Sequence, residues 1–368
     1  MTIVFIALQL SQPRCIKRIK AIYDAGFKVK VYGFDSGLYN ESLKSLPFPV
    51  ERIINRDKDQ GKLKKVVSFA SHVKRIFREN SKNDLFYFFG YEIASIAFLL
   101  GCKNYVYEEA DVTAARAKRS LVRNMMVKID RSIIMNSYRT VLTSGGFAPY
   151  IFSDRIPNEK IILLPNKLSP YFNGEKKEQI QKSEINVNHI RFSFIGLIRY
   201  PNTIVRFAKI IGREFPEHEF HFWGQPERED YLDDEVKRYN NVFMHGKFKN
   251  PDDLMSIYKQ TDISIVCYDT TSGNVRIAEP NKIYESIYFE TPIVVSSGTF
   301  LAERVKELGV GYDINASNDL SITQFVKGID IADLHTKIEN MKAIPWQEVV
   351  GDSTDLIEVL SARQNNMK

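Results

Sequence analysis

Apolar and polar positions along this chain alternate between two periods. Ile3–Leu8 is a continuous apolar run, and Pro13–Ala25 has helical spacing before Gly26 marks a turn into a second β-rich run, Lys28–Phe34. Lys62–Glu79 predicts a helix, with Leu63, Val66, Val67, Ala70, Val73 and Phe77 on one stripe. Leu85–Phe89, Tyr105–Tyr107, Thr140–Leu142 and Ile161–Leu164 predict further strands, with helices over Glu92–Leu100 and Thr113–Ser137 between them. Strands separated by helices in this way predict a parallel, doubly wound α/β sheet.

Periodicity then lapses. Asn173–His189 is dense in charge and amide with no apolar repeat, which predicts a linker or long surface loop. The rhythm restarts with strands at Arg191–Ile195, Glu219–Trp223, Val242–Met244, Ile263–Tyr268 and Ile293–Ser296, and helices at Thr203–Glu214 and Asp252–Gln260. The expected organisation is a first domain over 1–172, a linker over 173–189, a second domain over 190–345 and a C-terminal segment over 346–368. The segment's helix, Thr354–Arg363, is preceded by a capping serine.

The stretch around which the second domain is organised is Glu279–Ser297, EPNKIYESIYFETPIVVSS. A helix beginning near Pro280–Asn281 sets Ile283, Tyr284, Ile287 and Tyr288 on a core stripe and Lys282 with Glu285 on another face. Unpaired amides and the dipole at such a helix start attract phosphate, Lys282 adds a point charge, and the Glu285 carboxylate can accept from a sugar diol. A surface Lys–Glu pair on an ordinary helix explains the same residues.

Composition narrows the class. A chain of 368 residues exceeds one ordinary core, and 44% hydrophobic with 26% charged residues is the balance of a soluble globular protein. No apolar run reaches membrane-spanning length, and MTIVFIALQL reads as a buried strand rather than a signal peptide. Cys15, Cys102 and Cys267 are odd in number and far apart, which suits a reducing cytoplasm. The histidines form no metal pattern, and the one Asp-x-Asp, Asp57–Lys58–Asp59, sits in a polar stretch of the first domain. The loop after the first strand lacks a glycine fingerprint, which argues against a nicotinamide enzyme.

The net charge of +6 concentrates on two predicted helices. On the second, Arg116, Lys118, Arg119, Arg123, Lys128 and Arg131 accompany Leu121, Val122, Met125, Met126, Ile129 and Ile133. A basic amphipathic helix can lie on an anionic membrane surface, and a core-packed helix with a solvated basic face fits equally. Nucleic acid is not an expected partner, because no base-stacking aromatics are interleaved with the charge.

Further candidates lie at strand ends. Gly196 follows a strand and allows close approach to a diphosphate, which Arg199 can grip with two parallel hydrogen bonds. Gly224 and Gly246 follow the next two strands, and the loop with Ser272, Gly273, Asn274 and Arg276 leads into the organising helix. In the first domain Glu108, Glu109 and Asp111 end a strand, where a carboxylate can orient or deprotonate an acceptor hydroxyl, bind a cation or cap a helix. Glu109 is the acceptor-side candidate.

PNKxYE followed by ETPIVVSS resembles the donor-site segment of retaining GT-B glycosyltransferases of the group 1 type. The resemblance implies two Rossmann-like domains facing each other across a cleft, with the donor on the second and the acceptor on the first. It implies a sugar moved from a nucleotide-diphosphate sugar to a saccharide or lipid-linked saccharide, with no metal or other cofactor. Glu285 would hold the ribose, and Asn281 and Lys282 would lie by the diphosphate with Gly196, Arg199, Gly224 and Asn274. Catalysis would rest on Glu109, Arg199 and Lys282. The family's second glutamate, eight positions before the ribose residue, is Ile277 here, and Glu279 stands out of register. A nucleotide-sugar epimerase and a non-catalytic nucleotide-sugar-binding protein remain as alternatives on the same pocket.

Overall fold

The computed structural model describes residues 1–366 except Gln9, Ser11, 36–45, 55–61, Gln181, Ser183 and Asp352, so Asp57–Lys58–Asp59 lies outside the described residues. The chain forms two compact units, Met1–Pro165 together with Asp352–Lys368, and Asn166–Gly351.

The first unit is built on seven parallel strands: β1 (Thr2–Ala7), β2 (Lys28–Asp35), β3 (Val50–Ile54), β4 (Leu85–Phe89), β5 (Tyr105–Glu109), β6 (Arg139–Leu142) and β7 (Ile161–Leu163). Their order is β3-β2-β1-β4-β5-β6-β7, so the winding reverses between β1 and β4. The central strands carry apolar and aromatic residues on both faces, and every side chain of β4 is buried, as helices covering both sides of a parallel sheet require. The covering helices include α1 (Pro13–Asp24), α2 (Lys62–Glu79), α3 (Tyr91–Leu99) and α4 (Ser120–Asn136). Proline opens α1, where a missing N–H costs nothing.

The C-terminal helix, Thr354–Asn365, belongs to this unit. Its Leu356 and Leu360 are buried in the same core as Ile3, Phe5, Ile19, Tyr87 and Val106. Polar contacts fix it there. The Arg18 guanidinium donates to Glu108 at 3.1 Å and to the Ser353 hydroxyl at 2.7 Å, Tyr138 donates to the Val359 carbonyl, and Arg363 reaches Asn104.

The second unit repeats the winding with six parallel strands: β8 (Arg191–Ile195), β9 (Glu219–Trp223), β10 (Val242–Gly246), β11 (Ile263–Val266), β12 (Ile293–Ser296) and β13 (Gly311–Ile314), ordered β10-β9-β8-β11-β12-β13. One face packs around Phe192, Phe207 and Phe220, the other around Phe172, Tyr258, Ile287 and Phe289.

Three stretches differ from their sequence pattern. Residues 173–189 fold with the second unit: Asn173 caps a short helix at Gly174–Glu178, and Lys177 donates to the Tyr288 carbonyl and Glu290. The helix expected over 113–137 is broken into a 3-10 turn, Thr113–Arg116, and α4. Its apolar stripe is not all core, because Ile133 is buried while Leu121, Val122 and Met125 are exposed. On α2, Val73 is buried but Val66 and Val67 face solvent.

Candidate functional site

Open α/β sheets bind ligands beyond the carboxyl ends of their strands, where the winding reverses. In the second unit that point lies between β8, which runs into Gly196, and β11, which runs into Tyr268. Gly196 has φ +143° and Gly224 has φ +141°, both in the region that excludes most side chains. The Gly196 N–H donates to the Trp223 carbonyl at 2.8 Å, and a β-carbon on Gly224 would overlap the Gly196 carbonyl oxygen. Gly224 is therefore glycine so that two strand-end turns can stack. A β-carbon on Gly196 would meet only Phe194 and, at 3.9 Å, the Lys282 Cε. The stem of Lys282 thus lies over the Gly196 turn.

Lys282 and Glu285 are not the solvated face that helical spacing suggested. The helix is short, Lys282–Tyr288, and all seven of its side chains are buried. Glu285 is 1% exposed and Lys282 7%. The Lys282 ammonium pairs with Glu285 Oε2, which also accepts from the Tyr258 hydroxyl at 3.0 Å, while Asn281 Nδ2 donates to Oε1 at 2.6 Å. Three of about four acceptor positions on the carboxylate are thereby filled, leaving one on Oε1. Burial first, and the Glu285 charge second, hold the Tyr258 hydroxyl well above its ordinary pKa, so it remains a donor. The primary work of Glu285 in this arrangement is to hold Lys282 at the strand ends.

The expected anion site at the helix start is also changed. The Ile283 N–H turns back to the Pro280 carbonyl, and the Tyr284 and Glu285 N–H groups to that of Asn281. Those three amides are occupied, and the Lys282 side chain is the cation at this turn. Glu279 accepts from the Tyr284 hydroxyl at 2.7 Å and lies 3.7 Å from Arg304, which makes it a packing partner of the helix.

Arg199 is half exposed and pairs with Glu227 at 3.1 Å. The buried Tyr268 hydroxyl, raised by burial and further by Tyr200 and Glu285, is pulled back by the Arg199 charge, so Arg199 and Glu285 act on the same strand end. Asn274 is buried in the short helix Gly273–Ile277. Tyr258 was not foreseen, because nothing local in the sequence ties it to Glu285.

The first unit has a cavity of about 280 Å³ at its own reversal point, lined by residues that include Gln12, Arg14, Tyr91, Glu92, Asp111 and Arg116. Arg14 Nη1 is buried without an acceptor among the described residues. Asp111 pairs with Arg116 at 2.9 Å. Glu109 is not at this mouth. It is fully buried beside Tyr107 and Asp130, and burial followed by the charge of Asp130 raises its pKa well above the carboxylate range. Burial pushes Asp130 itself up to about 7. A carboxyl sealed in this way cannot touch an acceptor, so the catalytic role expected of Glu109 is not supported. Glu108 is likewise consumed, by Arg18 and the Tyr87 hydroxyl.

Residues 175–332 match the family model described as glycosyl transferases group 1. Across its full length the chain resembles the sucrose-phosphate synthase of Thermosynechococcus elongatus, with a TM-score of 0.71, 11% identity and coverage of 100% of this chain and 99% of that one. HepE of Anabaena, solved in complex with UDP, aligns at TM-score 0.70 and 14% identity over 100% of both chains. An α,α-trehalose-phosphate synthase (UDP-forming) from Burkholderia vietnamiensis aligns at 0.65 and 11% identity, covering 93% and 95%. No curated protein sequence matches significantly. The fold, two Rossmann-like α/β units, is GT-B.

Proposed function

We infer that this chain is a glycosyltransferase of the group 1 type that uses a nucleotide-sugar donor. The observation that carries the reading is the buried cluster of Lys282, Glu285 and Tyr258, joined by the exposed Asn281 amide, beside Gly196 at the reversal point of the second sheet. Breaking the bond to the sugar leaves negative charge on the departing diphosphate. A lysine already fixed and desolvated stabilises that charge without reorganising. Arg199 supplies a second cation on exchanging Glu227 for phosphate. Two protein cations at the leaving group call for no divalent ion. Asn274 and Gly196 would line the same donor, and the open acceptor position on Glu285 suits one ribose hydroxyl.

The finer reading is transfer with retention to a saccharide or lipid-linked saccharide in the building of a bacterial-type surface polysaccharide. The cavity of the first unit, with an Arg14 nitrogen that has no acceptor among the described residues, is the acceptor candidate. Free thiols at Cys15, Cys102 and Cys267 suit the cytoplasm. The test is a thermal-shift panel of UDP, GDP, ADP and CMP, with and without chelator, followed by product analysis with a matching nucleotide sugar. One diphosphate should stabilise the protein regardless of chelator, and Lys282→Met should shrink the shift at a given nucleotide concentration. No shift with any of them would overturn the reading.

A further inference from the structure

The start of α4 is built against the usual logic of a surface helix. Leu121 is 83% exposed and Met125 57%, with Val122 exposed beside them. A capping side chain and acids in the first turn favour a helix end in water. Here the residue before the helix is Arg119, no side chain caps it, and the first turn holds no acid. From Val112 to Ile129 the sequence contains no acidic residue and five cations: Arg116, Lys118, Arg119, Arg123 and Lys128. Lys118, Arg119 and Lys128 are exposed. Large apolar side chains thus project from the middle of a cationic patch, at an uncapped and electropositive helix end.

The geometry points to this patch as a seat for an anionic lipid bilayer. Phosphate headgroups complement the cations and the free helix end, and Leu121, Val122 and Met125 enter the boundary below them. A second copy of the chain docked on the same face would set Lys118 and Arg119 against themselves, which disfavours a dimer. The patch is also continuous with the cavity of the first unit: Asp111, Thr113 and Arg116 line that cavity, and the helix begins at Ser120. A bilayer held at Leu121 would therefore lie beside the acceptor candidate. This deepens the reading of the acceptor as lipid-linked, but its test does not depend on it.

The test is cosedimentation of the full chain with vesicles of phosphatidylglycerol and phosphatidylcholine, against vesicles of phosphatidylcholine alone. Binding should need the anionic lipid and fall away as salt rises past physiological strength. Lys118→Gln with Arg119→Gln should weaken it roughly thirtyfold. Leu121→Gln with Met125→Gln should weaken it while leaving the salt dependence in place. Both double variants should melt with the wild type and bind nucleotide as it does. Equal binding to neutral vesicles, no binding, or binding indifferent to either pair would overturn the proposal. So would a lipid-independent dimer that Leu121→Gln dissociates, or a nucleic acid that outcompetes the vesicles. Vesicle binding without nucleotide binding would leave this surface standing and remove the enzymatic reading; the converse would do the reverse.

Discussion

Cutting the Lys282–Glu285 pair is the most informative perturbation. Both side chains are almost wholly buried, so deleting one strands the other in a poor solvent for charge. Removing one member of a buried ion pair costs roughly 3–5 kcal/mol. Glu285→Ala should reach the upper part of that range, because the Tyr258 hydroxyl and Asn281 amide lose their acceptor with it. Lys282→Met should fall lower, since both neutral donors stay on the carboxylate. Combining Lys282→Met with Glu285→Ala leaves no uncompensated charge. Its cost should be smaller than the sum of the singles by ~2 kcal/mol or more. The chain's two tryptophans, Trp223 and Trp346, both lie in the second unit, so urea unfolding followed by tryptophan fluorescence reads that unit separately. Nucleotide titration adds the functional axis: Lys282→Met should lose about ten- to a hundredfold in affinity for the stabilising diphosphate. Single substitutions costing under ~0.5 kcal/mol and adding independently would mean a solvated pair, and the reasoning about the site would fail with it.

Three further outcomes are expected. Arg199→Ala should weaken diphosphate binding about tenfold or more while moving stability by no more than ~0.5 kcal/mol, because its pairing with Glu227 is exposed; a large stability loss would assign it to packing. Gly224→Ala should destabilise the second unit by more than ~3 kcal/mol, through the overlap with Gly196 and the positive φ; a cost under ~1 kcal/mol would show that the two turns do not stack. Asp130→Asn should lessen, not abolish, a pH dependence to which the neighbouring buried Glu109 also contributes. The folded protein keeps the Asp130 proton to about pH 7, whereas the unfolded chain loses it near pH ~4. Wild-type stability should therefore fall across that window as pH rises, by up to ~4 kcal/mol. Denaturant melts at both ends would show it, and a wild type that gained stability over the window would refute the burial of this carboxyl.

The alternation of strand and helix was legible because each strand is a compact run of apolar residues and each helix carries a stripe. The glycines after β8 and β9 could be found the same way. What periodicity could not give is who meets whom across the fold. Glu285 looked solvated because only its own helix was in view, while Tyr258 closes over it from another segment. Glu109 looked available at a strand end, but Asp130 of α4 lies against its buried face. Leu121, Val122 and Met125 fell on a helical stripe, yet α4 turns Ile133 rather than these toward the core. The charge run was visible in the sequence; its juxtaposition with uncovered apolar side chains was not.

The return of the C-terminal helix to the first unit orders events during synthesis. Ser353, Leu356 and Leu360 leave the ribosome after the whole second unit, yet they complete a core whose other residues begin at Ile3. Until they arrive, Arg18 and Glu108 hold one another with part of their cover missing, and the apolar floor of the first sheet stays open to water. The second unit is contained within Asn166–Gly351 and can finish folding before the first. The unit made first is thus completed last. Chaperone demand should concentrate on residues 1–165, and a nascent chain halted near residue 350 should expose its N-terminal part, not its C-terminal part, to protease.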